Sequence, residues 1–275
     1  TNYLYFPLAA ETGLKSAVTP NLGGDAKLDQ ESFLLEPVSS ENLHNNRSTR
    51  NFWLAAEGAG VYSVSGVSAE QEAGKFSAAQ DDSELTAGFM WQTLKRTPAV
   101  YPLASAVTSF IPEHDNVEIM YITVKNQSKT AQRFSACAAV PIYGRSADNI
   151  RDHRNVTSML HRIHTDEKGI YVCPTMSFDE KGHRPNSRIY YVLGCTGDSR
   201  LPECFYPTVE DFIGEGGTFL HPRAVYEAYP GHKAFCSAEG REAMGAFRFE
   251  KITLAPGETV DFILLLGIED KKEAV

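Results

Sequence analysis

The densest concentration of chemically capable side chains in this 275-residue sequence is Arg145-Ser-Ala-Asp-Asn-Ile-Arg-Asp-His-Arg-Asn155. Three arginines, two aspartates, two asparagines and one histidine share that short run. Planar guanidinium and amide donors beside carboxylate acceptors suit the hydroxyl groups of sugars. A salt-bridged surface loop uses the same residue types, so composition leaves both readings open.

Other chemistry is harder to assemble. The sequence holds no GxSxG, HExxH or GxxxxGK[ST] motif, which removes the common serine-hydrolase, zinc-protease and phosphate-loop signatures. His161 and His164 stand three apart, a spacing that can hold a metal on a helix, but the pair reads as hydrogen-bonded or solvated side chains in preference to a metal site. Gly214-Glu-Gly-Gly217 follows a candidate helix and reads as a turn. Glycoside cleavage requires two well-placed carboxylates. Glu11, Asp25, Asp29, Asp81, Asp82 and Asp211 offer the chemistry, but their separation is not encoded in sequence. No catalytic residue and no metal ligand is therefore assigned.

The elements that must position these groups are strands. Val117-Glu-Ile-Met-Tyr-Ile-Thr-Val-Lys125 alternates, and both of its faces are apolar enough to be buried. A polar hairpin loop, Asn126 to Gln132, leads to a second strand, Arg133 to Val140, ending at Pro141. Phe33–Val38, Gly60–Gly66, Phe89–Leu94, Ala106–Ile111, Gly169–Val172 and Arg188–Gly194 follow the same grammar. Near the end, Phe247 to Leu254 reads as a strand, Ala-Pro-Gly-Glu258 as a turn, and Thr259 to Leu266 as the returning strand.

Helical signals are short. Thr208 with Asp211 three residues on resembles a capping box, and Pro222 opens a second candidate helix running to Tyr229. Residues 66–88, small and acidic, read as a loop or irregular edge. Strand pairs without βαβ alternation predict an all-β sandwich. Neither an internal repeat nor a linker divides the chain.

Composition bounds the partners. With 42% hydrophobic and 22% charged residues the chain matches an ordinary globular domain. A net charge of −9 argues against a nucleic-acid partner, because an acidic surface repels phosphate backbones. No apolar run reaches the ~20 residues of a membrane helix, so no membrane partner is expected. Five cysteines, an odd number with no CxxC pair, favour reduced thiols over disulfides or a zinc site. Together with an N-terminus lacking signal-peptide features, this leads to the expectation of a cytoplasmic protein.

At the polar loop the sequence resembles the N-terminal domain of the cellobiose phosphorylase-like inverting glycoside phosphorylases (glycoside hydrolase family 94, formerly glycosyltransferase family 36). Asp148-Asn-Ile-Arg-Asp-His-Arg-Asn155 follows a strand ending Ala-Ala-Val-Pro-Ile-Tyr143. The family has a Gln-Arg-Asn triplet at this spacing; here His153-Arg154-Asn155 departs at its first position. Asp211-Phe-Ile-Gly-Glu-Gly-Gly-Thr-Phe-Leu-His-Pro222 is similar to a later family stretch, and Leu254 to Gly267 to the domain's closing hairpin. The aromatic segments Asn51-Phe-Trp53 and Gly88-Phe-Met-Trp91 suit its early strands. The opening departs from ordinary cellobiose phosphorylases, in the direction of a branch acting on longer, β-1,2-linked glucans.

The resemblance implies a large antiparallel two-sheet super-sandwich of the galactose mutarotase-like type over residues 1–268, with a few short helices. Residues 269–275 would begin a linker toward an (α/α)₆ catalytic barrel that these residues do not contain. In the family that barrel holds the general-acid Asp and the phosphate site, and phosphate attacks the anomeric carbon of a β-glucosidic oligosaccharide with inversion to give a sugar 1-phosphate. The implied partners are the oligosaccharide, the barrel and a second subunit in a homodimer. No cofactor is implied beyond inorganic phosphate as co-substrate. Carried over, Arg154 lies near the acceptor sugar of the neighbouring subunit, with His153 beside it. Whether the chain is itself an enzyme stays open. Two alternatives stand beside this reading. One is a structural domain of another carbohydrate-active enzyme. The other is a free-standing carbohydrate-binding or mutarotase-like epimerase module, which would need a His and a Glu, such as His221 and Glu215, to converge in a cleft.

Overall fold

The structure is a computed structural model that describes residues 4–39, 50–150, 154–179 and 182–271. Two antiparallel sheets face each other. The larger has nine strands in the spatial order Ser237–Glu239, Arg162–Thr165, Gly169–Val172, Arg188–Thr196, Thr259–Asp270, Val117–Asn126, Leu103–Phe110, Trp91–Thr97 and Asp82–Gly88. The smaller has six, in the order Cys204–Thr208, Ala243–Arg248, Gln132–Ile142, Asn51–Ala56 and Gly60–Ser63, with Ile252–Leu254 also pairing with the central Gln132–Ile142 strand. All-β super-sandwich architecture is thus present, and helix among the described residues is confined to short turns.

Period-two burial explains why these segments are strands. Along Val117–Asn126 the side chains of Glu118, Met120, Ile122, Val124 and Asn126 are buried, whereas Tyr121 and Lys125 are exposed. The strand pairs with Thr259–Asp270 from Val117↔Gly267 to Lys125↔Thr259. Between the sheets, Phe52 of the smaller sheet meets Phe262 of the larger at a ring-centroid distance of 5.0 Å, and Phe249 meets Phe262 at 5.1 Å. Each such ring contributes about 1.5–3 kcal/mol through its burial. The Ala255–Glu258 turn closes as the sequence indicates: Glu258 donates its N–H to the Ala255 carbonyl at 3.1 Å, and Gly257 has φ 82, which a type II turn reserves for glycine.

The outer face of the six-stranded sheet carries a second apolar cluster of Trp53, Cys137, Tyr206, Met244 and Ala246. The helices Val209–Ile213 and Arg223–Tyr226 cover it with Phe212, Ala224 and Val225. A four-stranded sheet of Phe6–Ala9, Lys15–Val18, Ala26–Asp29 and Ser32–Leu35 adds Leu8, Val18, Leu34 and Leu35 to the main core. All five cysteines are free thiols. Among the described residues no helix is long and apolar enough to cross a membrane.

Several expectations need correction. Residues 66–88, read as a loop or irregular edge, do supply a sheet edge, but a regular one: they hold the helix Ala69–Ala73, capped by Ser68, and the edge strand Asp82–Gly88. That strand is mostly exposed, so its backbone pairing with Trp91–Thr97 holds it in place and the hydrophobic pattern is silent. The neighbouring strand starts at Trp91, because Phe89 and Met90 form the hairpin turn. The Gln132–Ile142 strand continues through Pro141, paired with Met244. Its partner Asn51–Ala56 has already ended at Ala139↔Asn51, so the missing N–H faces no ladder there. Phe247 to Leu254 is split into two strands at Phe249 to Lys251. The final strand includes Glu269 and Asp270, two residues expected in an exit segment.

Candidate functional site

One edge of the sandwich gathers the polar chemistry. There the outermost strands of the two sheets, Cys204–Thr208 and Ser237–Glu239, border a cleft of about 420 Å³. Its walls include Asp211, Glu215, Arg223, Tyr229, His232 and Arg241.

Each wall residue is placed by a local rule. Thr208 caps the Val209–Ile213 helix by accepting the Asp211 N–H at 3.1 Å, and Asp211 Oδ2 in turn accepts from the Thr208 hydroxyl at 2.7 Å and from its backbone N–H at 3.3 Å. The remaining oxygen, Oδ1, lies 3.3 Å from His232 Nε2. His232 is fixed by reciprocal backbone bonds with Phe205, at 2.8 and 2.9 Å. The helix ends at Gly214, whose φ of 83 excludes other residues and where an added Cβ would lie 2.9 Å from Arg223 Cδ. Arg223 is thereby held over the Tyr229 ring, 3.8 Å from its centroid, and donates to Glu227 at 2.9 Å. Arg241 donates to Glu210 at 2.7 Å. Beneath them the Tyr206 hydroxyl donates to the Tyr229 carbonyl at 2.6 Å and accepts from Arg248 at 3.0 Å. Burial first, with the neighbouring Cys137 second, pushes the Tyr206 phenol well above its usual range, so it stays a neutral donor.

The polar loop singled out in the sequence reaches this edge. Arg145 is buried, not a surface residue, and its guanidinium stacks on Tyr143 at 4.6 Å and donates to the Thr157 hydroxyl at 3.2 Å. It also forms a charge-assisted pair with Glu242, the neighbour of the cleft residue Arg241. Arg154 starts the one-turn helix Arg154–Thr157, so its backbone is helical where an exposed loop was expected. Its side chain, and His153 entirely, lie outside the described residues.

The histidine pair does not form a metal site of the helical kind. His161 precedes the extended Arg162–Thr165 strand and is buried, with Nδ1 3.2 Å from the Arg241 carbonyl oxygen. His164 stacks on Tyr171 at 5.3 Å. His221 and Glu215 are not brought together as a pair either: His221 stacks on Tyr226 at 3.5 Å and lies 3.9 Å from Glu70. Sequence reasoning missed His232, Tyr229 and Arg241. The Asp211 capping signal marked one wall of the cleft, but nothing local to residues 229–241 announces the other.

Asp211, His232, Arg223, Glu215 and Arg241 present both donors and acceptors, and their charges are largely paired. Such a surface favours a neutral, hydroxyl-rich ligand over a highly charged one.

The family model described as glycosyl hydrolase 94, supersandwich domain, matches residues 83–275. No curated protein sequence gives a significant match. Among solved structures the chain is similar to a bacterial glucoamylase complexed with acarbose, at 7% identity and a TM-score of 0.53, over 96% of this chain and 31% of that one. This chain therefore spans about a third of the glucoamylase's length, and the likeness is one of fold. A putative aldose 1-epimerase from Escherichia coli K12 aligns at 12% identity and TM-score 0.46, over 97% of this chain and 99% of that one. A galactose mutarotase-like protein from Lactobacillus casei ATCC 334 aligns at 9% identity and TM-score 0.45, over 97% and 100% of the two chains. With 83–275 matched and the paired antiparallel sheets in place, the chain belongs to the glycosyl hydrolase 94 family, as its supersandwich domain.

Proposed function

We propose that this domain forms the acceptor-sugar side of the active site in an inverting glycoside phosphorylase that cleaves β-glucosidic oligosaccharides with phosphate. The observation that carries this reading is the meeting of two separate segments at one edge. Residues 145–157 are tied through Arg145 to Glu242, and residues 208–223 form the cleft wall that Arg241 completes through Glu210. Both segments are ones whose sequence resembles the phosphorylase pattern. Their junction supplies paired, directional polar groups beside Tyr229, the chemistry that holds sugar hydroxyls. In the phosphorylase pattern the residues matching Arg154 and its sequence neighbour His153 serve the acceptor sugar of a partner subunit, and this reading assigns them the same role.

In this reading the sandwich positions substrate and helps build a homodimer. A following helical barrel supplies the general acid and the phosphate site, with inorganic phosphate the co-substrate and no other cofactor. The test is to express the full reading frame and incubate it with β-1,2- and β-1,4-linked glucans and phosphate. The expected product is a sugar 1-phosphate. A reading frame that stops at Val275, or no phosphorolysis of any β-glucan, contradicts the proposal.

The Asp211–His232 contact favours a second reading, a sugar epimerase of the mutarotase-like type, since a carboxylate-held imidazole beside a cleft can exchange protons. Acceleration of anomer exchange in freshly dissolved glucose or galactose by this chain alone supports that reading.

A further inference from the structure

The outer face of the nine-stranded sheet carries a second feature, at the far end from the cleft. A row of register partners crosses five strands as Trp91↔Phe110↔Ile119↔Leu265↔Leu193. Tyr121 lies beside it, paired with Ile263 and Thr108. A solvated sheet face normally alternates to polar residues, so this apolar row requires an explanation.

Two glycines set its shape. An added Cβ at Gly88 would lie 2.4–2.8 Å from Trp91 indole atoms, and one at Gly267 would lie 2.2–2.7 Å from the Tyr191 ring and hydroxyl. Both aromatic side chains therefore lie across the sheet over a neighbouring strand. The glycine-bearing strands are four intervals apart, so the two rings span about 19 Å. Phe110, Ile119, Leu265, Leu193 and Ile263 are partly covered, while Trp91 stays 38% and Tyr121 39% exposed. What this face offers to solvent is thus mainly aromatic. At the hairpin tip Phe89 is 87% exposed.

The rim is hydroxyl-rich, and one of its cations is held in an ion pair. Thr93 and Thr108 share a hydrogen bond of 2.8 Å, Thr123 donates to Asp261 at 2.6 Å, and Lys95 lies 3.6 Å from Glu84. Threonine hydroxyls beside exposed rings complement a ligand with an apolar C–H face and hydroxyl edges. We infer that this sheet face is a stacking platform for a neutral oligosaccharide chain, with Trp91 and Tyr121 as its principal contacts. The inference is independent of the cleft and of any phosphorylase activity.

The two tryptophans allow a direct test, because Trp53 is buried at 1% exposure and leaves Trp91 as the solvent reporter. The chain is titrated with cellohexaose, laminarihexaose, a β-1,2-linked hexaose and maltohexaose. The expected result is a saturable blue shift of tryptophan emission with at least one of them. By isothermal titration Trp91→Ala should weaken binding about thirtyfold, the scale of losing a central aromatic contact. Trp91→Phe should restore most of it, and circular dichroism of both variants should match the parent. No emission change with any hexaose overturns the inference. Binding that survives Trp91→Ala but is lost in Tyr229→Ala overturns it in favour of the cleft. Self-association of the parent that Trp91→Ala abolishes, without sugar binding, overturns it in favour of a protein contact.

Discussion

Arg50 and Glu118 form a two-point ion pair inside the sandwich, with Nε and Nη2 donating to the two carboxylate oxygens at 2.6 and 2.8 Å while both side chains are fully enclosed. Ser16 donates to the same carboxylate at 2.5 Å, and Arg50 also reaches the Gly23 and Asp25 carbonyls at 3.1 and 3.2 Å. The pair therefore fastens the four-stranded sheet to the Val117–Asn126 strand of the main sheet. Glu118→Gln should cost about 3–5 kcal/mol, since it strands a buried cation. Urea unfolding measures this, and the double variant Arg50→Met/Glu118→Leu should lose less than the sum of the single losses. Additive losses contradict a coupled pair.

That pair also shows where sequence reading ends. Alternation identified the Val117 strand, and the Pro-Gly turn and the Thr208–Asp211 cap appeared as read, because each depends on neighbours within a few residues. Arg50 and Glu118 stand 68 positions apart, and nothing local marks Glu118 as buried. The cleft is legible by half for the same reason: its Asp211 wall is a local cap, whereas His232 arrives through a backbone bridge to Phe205. Arg145 looked like a surface charge because the Glu242 that neutralises it lies 97 residues away. Asp82–Gly88 escaped because backbone pairing and the single apolar side chain of Leu85 hold it, which leaves no alternation to read.

Stability should depend on pH through His161. Burial foremost, and the adjacent Arg145 cation second, push its pKa from 6.5 down to about 3. The unfolded chain gains a proton as pH falls below that ordinary value while the folded chain stays neutral. Stability is therefore complete above pH 6.5 and declines as pH falls toward 3, by up to about 1.4 kcal/mol per pH unit. His161→Leu should flatten this part of the profile. Urea titrations at about pH 7, 6 and 5 compare the two slopes; equal slopes contradict the assignment.

The capping box at the cleft should be worth a measurable amount. Thr208→Ala removes the side-chain acceptor of the Asp211 N–H and should cost about 0.5–2 kcal/mol. Thermal unfolding of the variant against the parent tests this. A loss below about 0.3 kcal/mol shows that packing of Phe212 alone holds the helix.

The isolated chain should show no phosphorolysis, because in this account the general acid and phosphate site belong to a following barrel. Release of a sugar 1-phosphate by purified residues 1–275 with phosphate and a β-glucan panel contradicts that division of labour.

The most direct measurement takes the full-length protein and compares Arg154→Ala with the parent in two assays, acceptor KM in the synthetic direction and melting temperature. The account predicts weaker acceptor binding by about 1–3 kcal/mol, roughly five- to 150-fold in KM, the loss of a charged hydrogen-bonding group. Melting should be nearly unchanged, because in this account Arg154 serves the sugar and not the packing of the fold. A lowered melting temperature with normal acceptor kinetics would instead make Arg154 a structural residue and contradict the assignment of this edge to the acceptor sugar.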